Sequence, residues 1–191
     1  MRKNTTRDQI VEAADRLFYQ RGYEHTSFSD IAGAVQISRG NFYYHFRTKD
    51  EILDAVIRVR WTDRHRLLAR WDMESENPEA RIRNFIRILI NNRTEIMRYG
   101  CPIGTLSTEL AKLDHPSQTE ANNLFTLFRE WLRRQFSLLG RAADADVLAM
   151  HLLARSQGVA TLAAAFSDEQ FIRQEVRQMC DWLASCVPGK P

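Results

Sequence analysis

Between Ser38 and Glu51 the chain reads Ser-Arg-Gly-Asn-Phe-Tyr-Tyr-His-Phe-Arg-Thr-Lys-Asp-Glu, a run crowded with hydrogen-bonding side chains. Arg39 and Asn41 carry the donors and acceptors that pair bidentately with guanine and adenine edges in a major groove. Ser38, Tyr43, Tyr44, His45 and Lys49 offer donors to phosphate oxygens, as does Thr26 upstream, with Lys49 near a helix start where anions are favoured. With Ser27 and Gly40 beside them, the candidate nucleic-acid contacts are Thr26, Ser27, Ser38, Arg39, Gly40, Asn41, Tyr43, Tyr44, His45 and Lys49. The bland alternative is a surface helix with incidental aromatics, Tyr44 partly buried. A second chemistry is conceivable at Cys101, which precedes Pro102 where a short helix is expected to begin, because a helix N-terminus raises thiol reactivity. Cys101 with His115 or His151 could then be imagined as a nucleophile and its base.

The Ser38 stretch is a poor helix on its own terms. Phe42 and Phe46 stand at i and i+4, so both rings can face one core. Gly40, however, costs about 1 kcal/mol relative to Ala in a helix interior, and Arg39 sets a cation near the positive end of the dipole. Local inconsistency of this kind marks functional sites.

The elements that must position this stretch follow from periodicity. Thr6-Arg7-Asp8-Gln9 fits a capping box, followed by Ile10, Ala13, Ala14, Leu17 and Phe18 at amphipathic spacing and Gly22 as a stop. Ser27 caps a second helix with Asp30 in its first turn and Ile31, Ala32 and Val35 behind it. Gln36-Ile37 is a tight connection, and Ser38 caps the third helix. The three form a helix-turn-helix unit. Thr48-Lys49-Asp50-Glu51 is another capping box, starting a long fourth helix towards Trp71 with Ile52, Leu53, Val56 and Val59 inward. Asp72 to Pro78 is a polar break. Helices are then expected at about 79–99, 102–113, 117–139, 144–165 and 168–187, making about nine in all. The eighth is rich in small residues, Ala149, Ala154, Ser156, Gly158, Ala160, Ala163, Ala164 and Ala165, and the ninth offers Phe171, Ile172, Val176, Met179, Trp182 and Leu183. Two such helices meeting their copies would form a four-helix dimer interface. The expected fold is all-α, without repeats, low-complexity tracts or β alternation.

Composition narrows the function class. A chain of 191 residues with 44% hydrophobic content supports a substantial core. No apolar run approaches the roughly 18 residues of a membrane span, and the first six residues lack the apolar core of a signal peptide, so a cytoplasmic address and no membrane partner are expected. The net charge is +3, with 12 Lys+Arg against 9 Asp+Glu in residues 1–66 and 15 against 15 in the remainder. All of the excess lies where nucleic acid would be met. Three cysteines, Cys101, Cys180 and Cys186, lack Cys-x-x-Cys spacing and a nearby His at zinc-ligand spacing, so neither a metal site nor a disulfide framework is expected, and no cofactor motif is present.

Thr26, Ile31-Ala32, Ile37-Ser38, Gly40, Tyr43, His45-Phe46, Lys49 and Ile52-Leu53 together resemble the DNA-binding signature of the TetR family of bacterial transcriptional regulators. The resemblance covers roughly residues 5–65. It departs at Gln36, where the family usually has Gly. It implies a three-helix DNA-binding domain at 5–65, with its helix-turn-helix at about 28–47. The long fourth helix would link this domain to a C-terminal ligand-binding and dimerisation domain at 78–188. Implied partners are double-stranded operator DNA as an inverted repeat, a second copy bound through the last two helices, and a small-molecule inducer. The resemblance also implies an internal pocket whose filling swings the fourth helices and separates the recognition helices. Candidate lining residues are Trp61, Phe85, Tyr99, Cys101, Phe125, Phe128, Trp131, His151 and Arg155, with His151 and Arg155 the more suggestive because a buried polar group needs a partner. Gly100-Cys101-Pro102-Ile103-Gly104 through Glu109-Leu110 resembles a stretch in a subset of the family that includes NemR-type sensors of reactive electrophiles.

The expected function is therefore a DNA-binding regulator, a repressor released by a small molecule or electrophile. One alternative is a regulator whose C-terminal half only dimerises or binds protein. The other is a thiol enzyme using Cys101, which no phosphate loop, metal motif or paired-acid constellation supports.

Overall fold

Thr5 opens the first helix, α1 (Thr6–Arg21): its hydroxyl accepts the Asp8 N–H while the Asp8 carboxylate accepts the Thr5 N–H. The capping box thus lies one residue before the Thr6 expected, because Asp8 rather than Gln9 supplies the returning acceptor. The computed structural model describes residues 5–187. The end of the expected C-terminal domain, at 188, lies outside the described residues.

The remaining helices are α2 (Phe28–Val35), α3 (Arg39–His45), α4 (Lys49–Glu74), α5 (Pro78–Asn91), α6 (Arg93–Tyr99), α7 (Pro102–Lys112), α8 (Gln118–Leu138), α9 (Ala145–Phe166) and α10 (Glu169–Ser185). The single helix expected over 79–99 is broken at Asn92. There the side-chain amide donates to the Ile88 carbonyl at 2.9 Å, alongside the Asn92 N–H at 3.0 Å. A side chain that competes for its own helix's carbonyls is the reason Asn is a weak interior residue. Counting α5 and α6 as one bent helix gives the expected nine among the described residues.

The chain divides into two compact units. The first comprises the described residues up to Asp63 together with Thr105–Asn123. Its core joins Ile10 and Ala14 of α1, Ile31 of α2, Phe42, Phe46, and Ile52, Leu53 and Val56 of α4 with Leu110 and Ala121, all buried. Arg60, itself buried, reaches Asp15 at 2.6 Å and ties α4 to α1. Residues 105–123 therefore group with the helix-turn-helix segment rather than with the rest of the stretch 78–188.

The second unit comprises Arg64–Gly104 together with the described residues from Leu124 onward. Ile82 and Ile86 of α5, Leu132 and Phe136 of α8, Leu152 of α9, and Ile172, Met179 and Leu183 of α10 are all fully buried in one core. Asp72 collects the polar groups this burial would strand: it accepts from Trp131 Nε1 at 3.0 Å and Gln135 Nε2 at 3.2 Å and pairs with Arg134. The buried Gln135 amide is completed by Arg81 at 3.2 Å, so its desolvation is compensated.

Candidate nucleic-acid interface

α2 and α3 are held by caps and a left-handed corner. Ser27 and Asp30 form a reciprocal capping box at the start of α2, and the Ser27 hydroxyl and N–H keep the Asp30 carboxyl below its usual range. The Ser38 hydroxyl accepts the Asn41 N–H at 3.3 Å and so caps α3. Between them Gln36 sits at φ 58, ψ 41, the region that favours Gly, while Ile37 N–H bonds back to the Ala32 carbonyl at 3.2 Å. The family departure at Gln36 is thus a side chain accepted in a strained conformation, and the corner is kept.

α3 consequently has two unlike sides. Phe42 is 1% exposed and the following Phe46 2%, whereas Tyr43 is 52% and Tyr44 85% exposed. Ser38, Arg39, Gly40 and Asn41 are all exposed at its first turn, and His45 is half-buried. Tyr43 leans edge-on against Phe28 at 5.6 Å, and Tyr44 against His45 at 5.2 Å. Arg39 reaches Ser29 of α2 at 3.5 Å. Arg39, Asn41, Tyr43 and Tyr44 therefore occur together on one short helix, aimed away from the core by the two phenylalanines, an arrangement that can enter a groove.

Two of the expected phosphate contacts are used differently. Thr26 is fully buried and its hydroxyl donates to the Gly22 carbonyl at 2.7 Å; it builds the α1–α2 turn and has no hydroxyl to offer a phosphate. The Lys49 ammonium donates to the carbonyls of Tyr23 at 2.9 Å and Glu24 at 3.3 Å and lies 4.2 Å from the centroid of the Tyr23 ring. Both residues answer carbonyls of this turn, Thr26 from four residues on and Lys49 from the start of α4. The Thr48 hydroxyl accepts the Glu51 N–H as expected, but the Glu51 carboxylate turns to the Arg47 N–H at 2.7 Å.

Sequence reasoning also missed a polar cluster in this unit. The Tyr23 hydroxyl contacts Asp50 and lies 3.2 Å from His115 Nε2, while His115 Nδ1 accepts the Ser117 N–H at 3.1 Å. The Ser117 hydroxyl donates to Asp54 at 2.9 Å. Burial and the Asp50 carboxylate drive the Tyr23 phenol well above its ordinary range. His115, with both ring nitrogens engaged, belongs to this cluster.

The expected ligand-lining residues are dispersed. Trp61 lies in the first unit and is exposed; the others lie in the second. Phe85 and Phe128 fill each other's space, rings 5.5 Å apart and buried, and Trp131 packs on Trp71 at 5.6 Å. Arg155 is paired with Glu175 at 2.9 Å and with Gln178. His151 is exposed, its ring 4.7 Å from that of Trp182, so it is not the buried polar group expected. Tyr99, Cys101 and Phe125 are partly buried, and Cys101 Sγ accepts the Gly104 N–H at 3.5 Å at the start of α7. Among the described residues no cluster of His, Cys, Asp or Glu could hold a metal, and no helix is long and apolar enough to cross a membrane.

Residues 10–56 match the model of bacterial regulatory proteins of the tetR family. An HTH-type transcriptional regulator in the lacX 3′ region of Lactococcus lactis subsp. lactis is 30% identical over 168 residues, covering 85% of each chain. The HTH-type transcriptional repressor DhaR of Mycobacterium sp. (strain GP1) is 27% identical over 168 residues, 83% of this chain and 82% of DhaR. The structure of reduced E. coli NemR superposes with a TM-score of 0.77 over 91% of this chain and 95% of NemR at 18% identity, a likeness of fold. These relatives are regulators rather than enzymes. With its helix-turn-helix displayed on this all-α frame, the chain belongs to the tetR family of bacterial regulatory proteins and is a DNA-binding transcriptional regulator.

Proposed function

We propose that the chain is a cytoplasmic repressor that binds an inverted-repeat operator as a homodimer and is released by a small molecule or reactive electrophile. In this reading residues 5–65 bind DNA and residues 78–188 bind the inducer and the second copy. The observation that carries it is the two-sidedness of α3, with Phe42 and Phe46 buried and Arg39, Asn41, Tyr43 and Tyr44 turned out. Arg39 and Asn41 read base edges, and Ser27, Ser38, Tyr43, Tyr44 and His45 grip the backbone on either side. The similarity to DhaR, a repressor, supports steric exclusion as the mode of action.

Support for the second copy lies on α9. Val147, Met150, His151, Ala154, Gly158, Thr161, Leu162, Ala165 and Phe166 are its exposed residues, and none is Asp, Glu, Lys or Arg. An uncharged, largely apolar face of this length marks a protein contact. The outward residues of α10, among them Arg173, Arg177 and Asp181, are polar and suit a rim around it. An inducer acts by binding the spread conformation of such a dimer better than the operator-competent one. Cys101, half-buried at the start of α7, is the candidate electrophile sensor.

The test is selection of duplexes from a random-sequence pool by the full chain, followed by gel-shift titration of the enriched sequence. An enriched inverted repeat bound as a dimer, with Arg39→Ala abolishing the preference, is the expected result; a pool that shows no enrichment overturns the reading. Adding N-ethylmaleimide should release the wild type and leave the Cys101→Ser variant bound. Equal release of both removes Cys101 as the sensor.

A further inference from the structure

The turn between α1 and α2 is gripped from both sides by charges that come from elsewhere in the sequence. The Glu109 carboxylate of α7 accepts the N–H groups of Tyr23 and Glu24, each at 2.9 Å. Lys49 takes the carbonyls of the same two residues at 2.9 and 3.3 Å. Successive N–H groups aimed at one point form an anion-binding concavity, and here its anion is built into the chain. Gly22 makes the approach possible: it sits at φ +91, and a Cβ there would stand 2.8 Å from Glu109 Oε1. Leu110, the next residue, is fully buried in the core that holds Phe42 and Phe46. Thr26 then closes the turn on the Gly22 carbonyl, and Ser27 caps α2 immediately after it.

We propose that Glu109 is a positioning residue for operator binding. By neutralising two consecutive N–H groups it fixes the turn from which α2 departs, and through the Gln36 corner it fixes the angle at which α3 is presented. The Glu-Leu end of the segment that begins at Gly100 and Cys101 thereby acquires a purpose: it fastens α7 to the DNA-reading unit. Lys49 is the second half of the clamp. Losing the Glu109 carboxylate takes the anion away from Tyr23 and Glu24 and loosens the reader.

This inference rests on the DNA-binding reading, and its test separates the two. The probe is the duplex enriched by the wild-type chain, so a chain that enriches nothing sinks the reading before Glu109 is examined. Given an enriched duplex, Glu109→Gln, which keeps the shape but turns an amide N–H toward one of the two donors, should weaken binding about tenfold or more by anisotropy titration well below its Tm. Amide exchange of Tyr23 and Glu24, followed by NMR, should accelerate while the α1 amides of Ala14 and Leu17 keep their protection. Unchanged affinity in Glu109→Gln with faster exchange at Tyr23 and Glu24 overturns the proposal, since the contact would then be structural only.

Discussion

Gln36 holds the corner between α2 and α3 in the left-handed region, at φ 58. For a residue with a Cβ this conformation costs about 1–2 kcal/mol, part of which Gly would return as backbone entropy. Gln36→Gly should therefore raise the Tm by about 2–4 °C in a thermal melt and leave operator affinity unchanged, because the corner already has its final geometry. Tyr23 yields a second prediction, of pH dependence. Burial first, then the hydrogen bond and charge of Asp50, raise its pKa, so the folded chain prefers the neutral phenol. The unfolded phenol ionises near pH 10. The contribution of this group is therefore complete below that pH and is lost as pH rises above it. Urea midpoints measured from about pH 8 to 11 should fall more steeply for the wild type than for Tyr23→Phe. Parallel curves would show that Tyr23 is not held neutral. Gln36 could be found by eye, since it stands where the family usually has Gly; the environment of Tyr23 could not, because Asp50 and His115 reach it only through the fold.

At the scale of elements the same division holds. Helix positions followed from spacing: Ile10, Ala14 and Leu17 on α1, or Phe42 and Phe46 around α3, are buried where their periodicity puts them. The break at Asn92 was hidden because the apolar pattern of Ile82, Ile86, Leu89 and Ile96 runs on through it, and only the Asn92 backbone, at φ −109 and ψ 19, departs from the helix. The roles of Thr26, Lys49 and Glu109 were hidden for a different reason. Each satisfies a backbone group of the same turn, Thr26 from four residues on and Lys49 and Glu109 from distant positions that packing brings there. α9 was legible as a small-residue helix, but its uncharged outward face needed the burial pattern to be seen. Leu162 and Phe166 close that face, 45% and 73% exposed. Placing a charge there would bury it unpaired against a second copy. On the proposed α9 interface, the wild type is expected to sediment as a dimer at micromolar concentration and Leu162→Arg as a monomer, with helical content unchanged. A variant that sediments with the wild type would move the interface elsewhere.

For the whole molecule, the charge distribution and the proposed symmetry together fix how binding responds to salt. The net charge of +3 is modest, so long-range attraction to DNA is weak and affinity must come from local contacts. Lys49 is drawn inward to the α1–α2 turn, while Arg39, Arg47 and Arg7, the last 4.6 Å over the Phe46 ring, are exposed cations near α3 among the described residues. Each neutralised phosphate contributes about −0.9 to the slope of log K against log salt concentration. With so few cations per copy, the slope on a single half-site should be shallow. A dimer on an inverted repeat repeats every contact, so the slope there should be close to twice the half-site value. Anisotropy titrations between about 50 and 200 mM salt on the two duplexes measure the ratio directly. The Leu162→Arg monomer carries a new charge far along the chain from α3, and it should show the half-site slope on both duplexes. A wild type whose two slopes are equal would bind the full operator with one reading head, and the symmetric model would fail even if the α3 contacts were all correct.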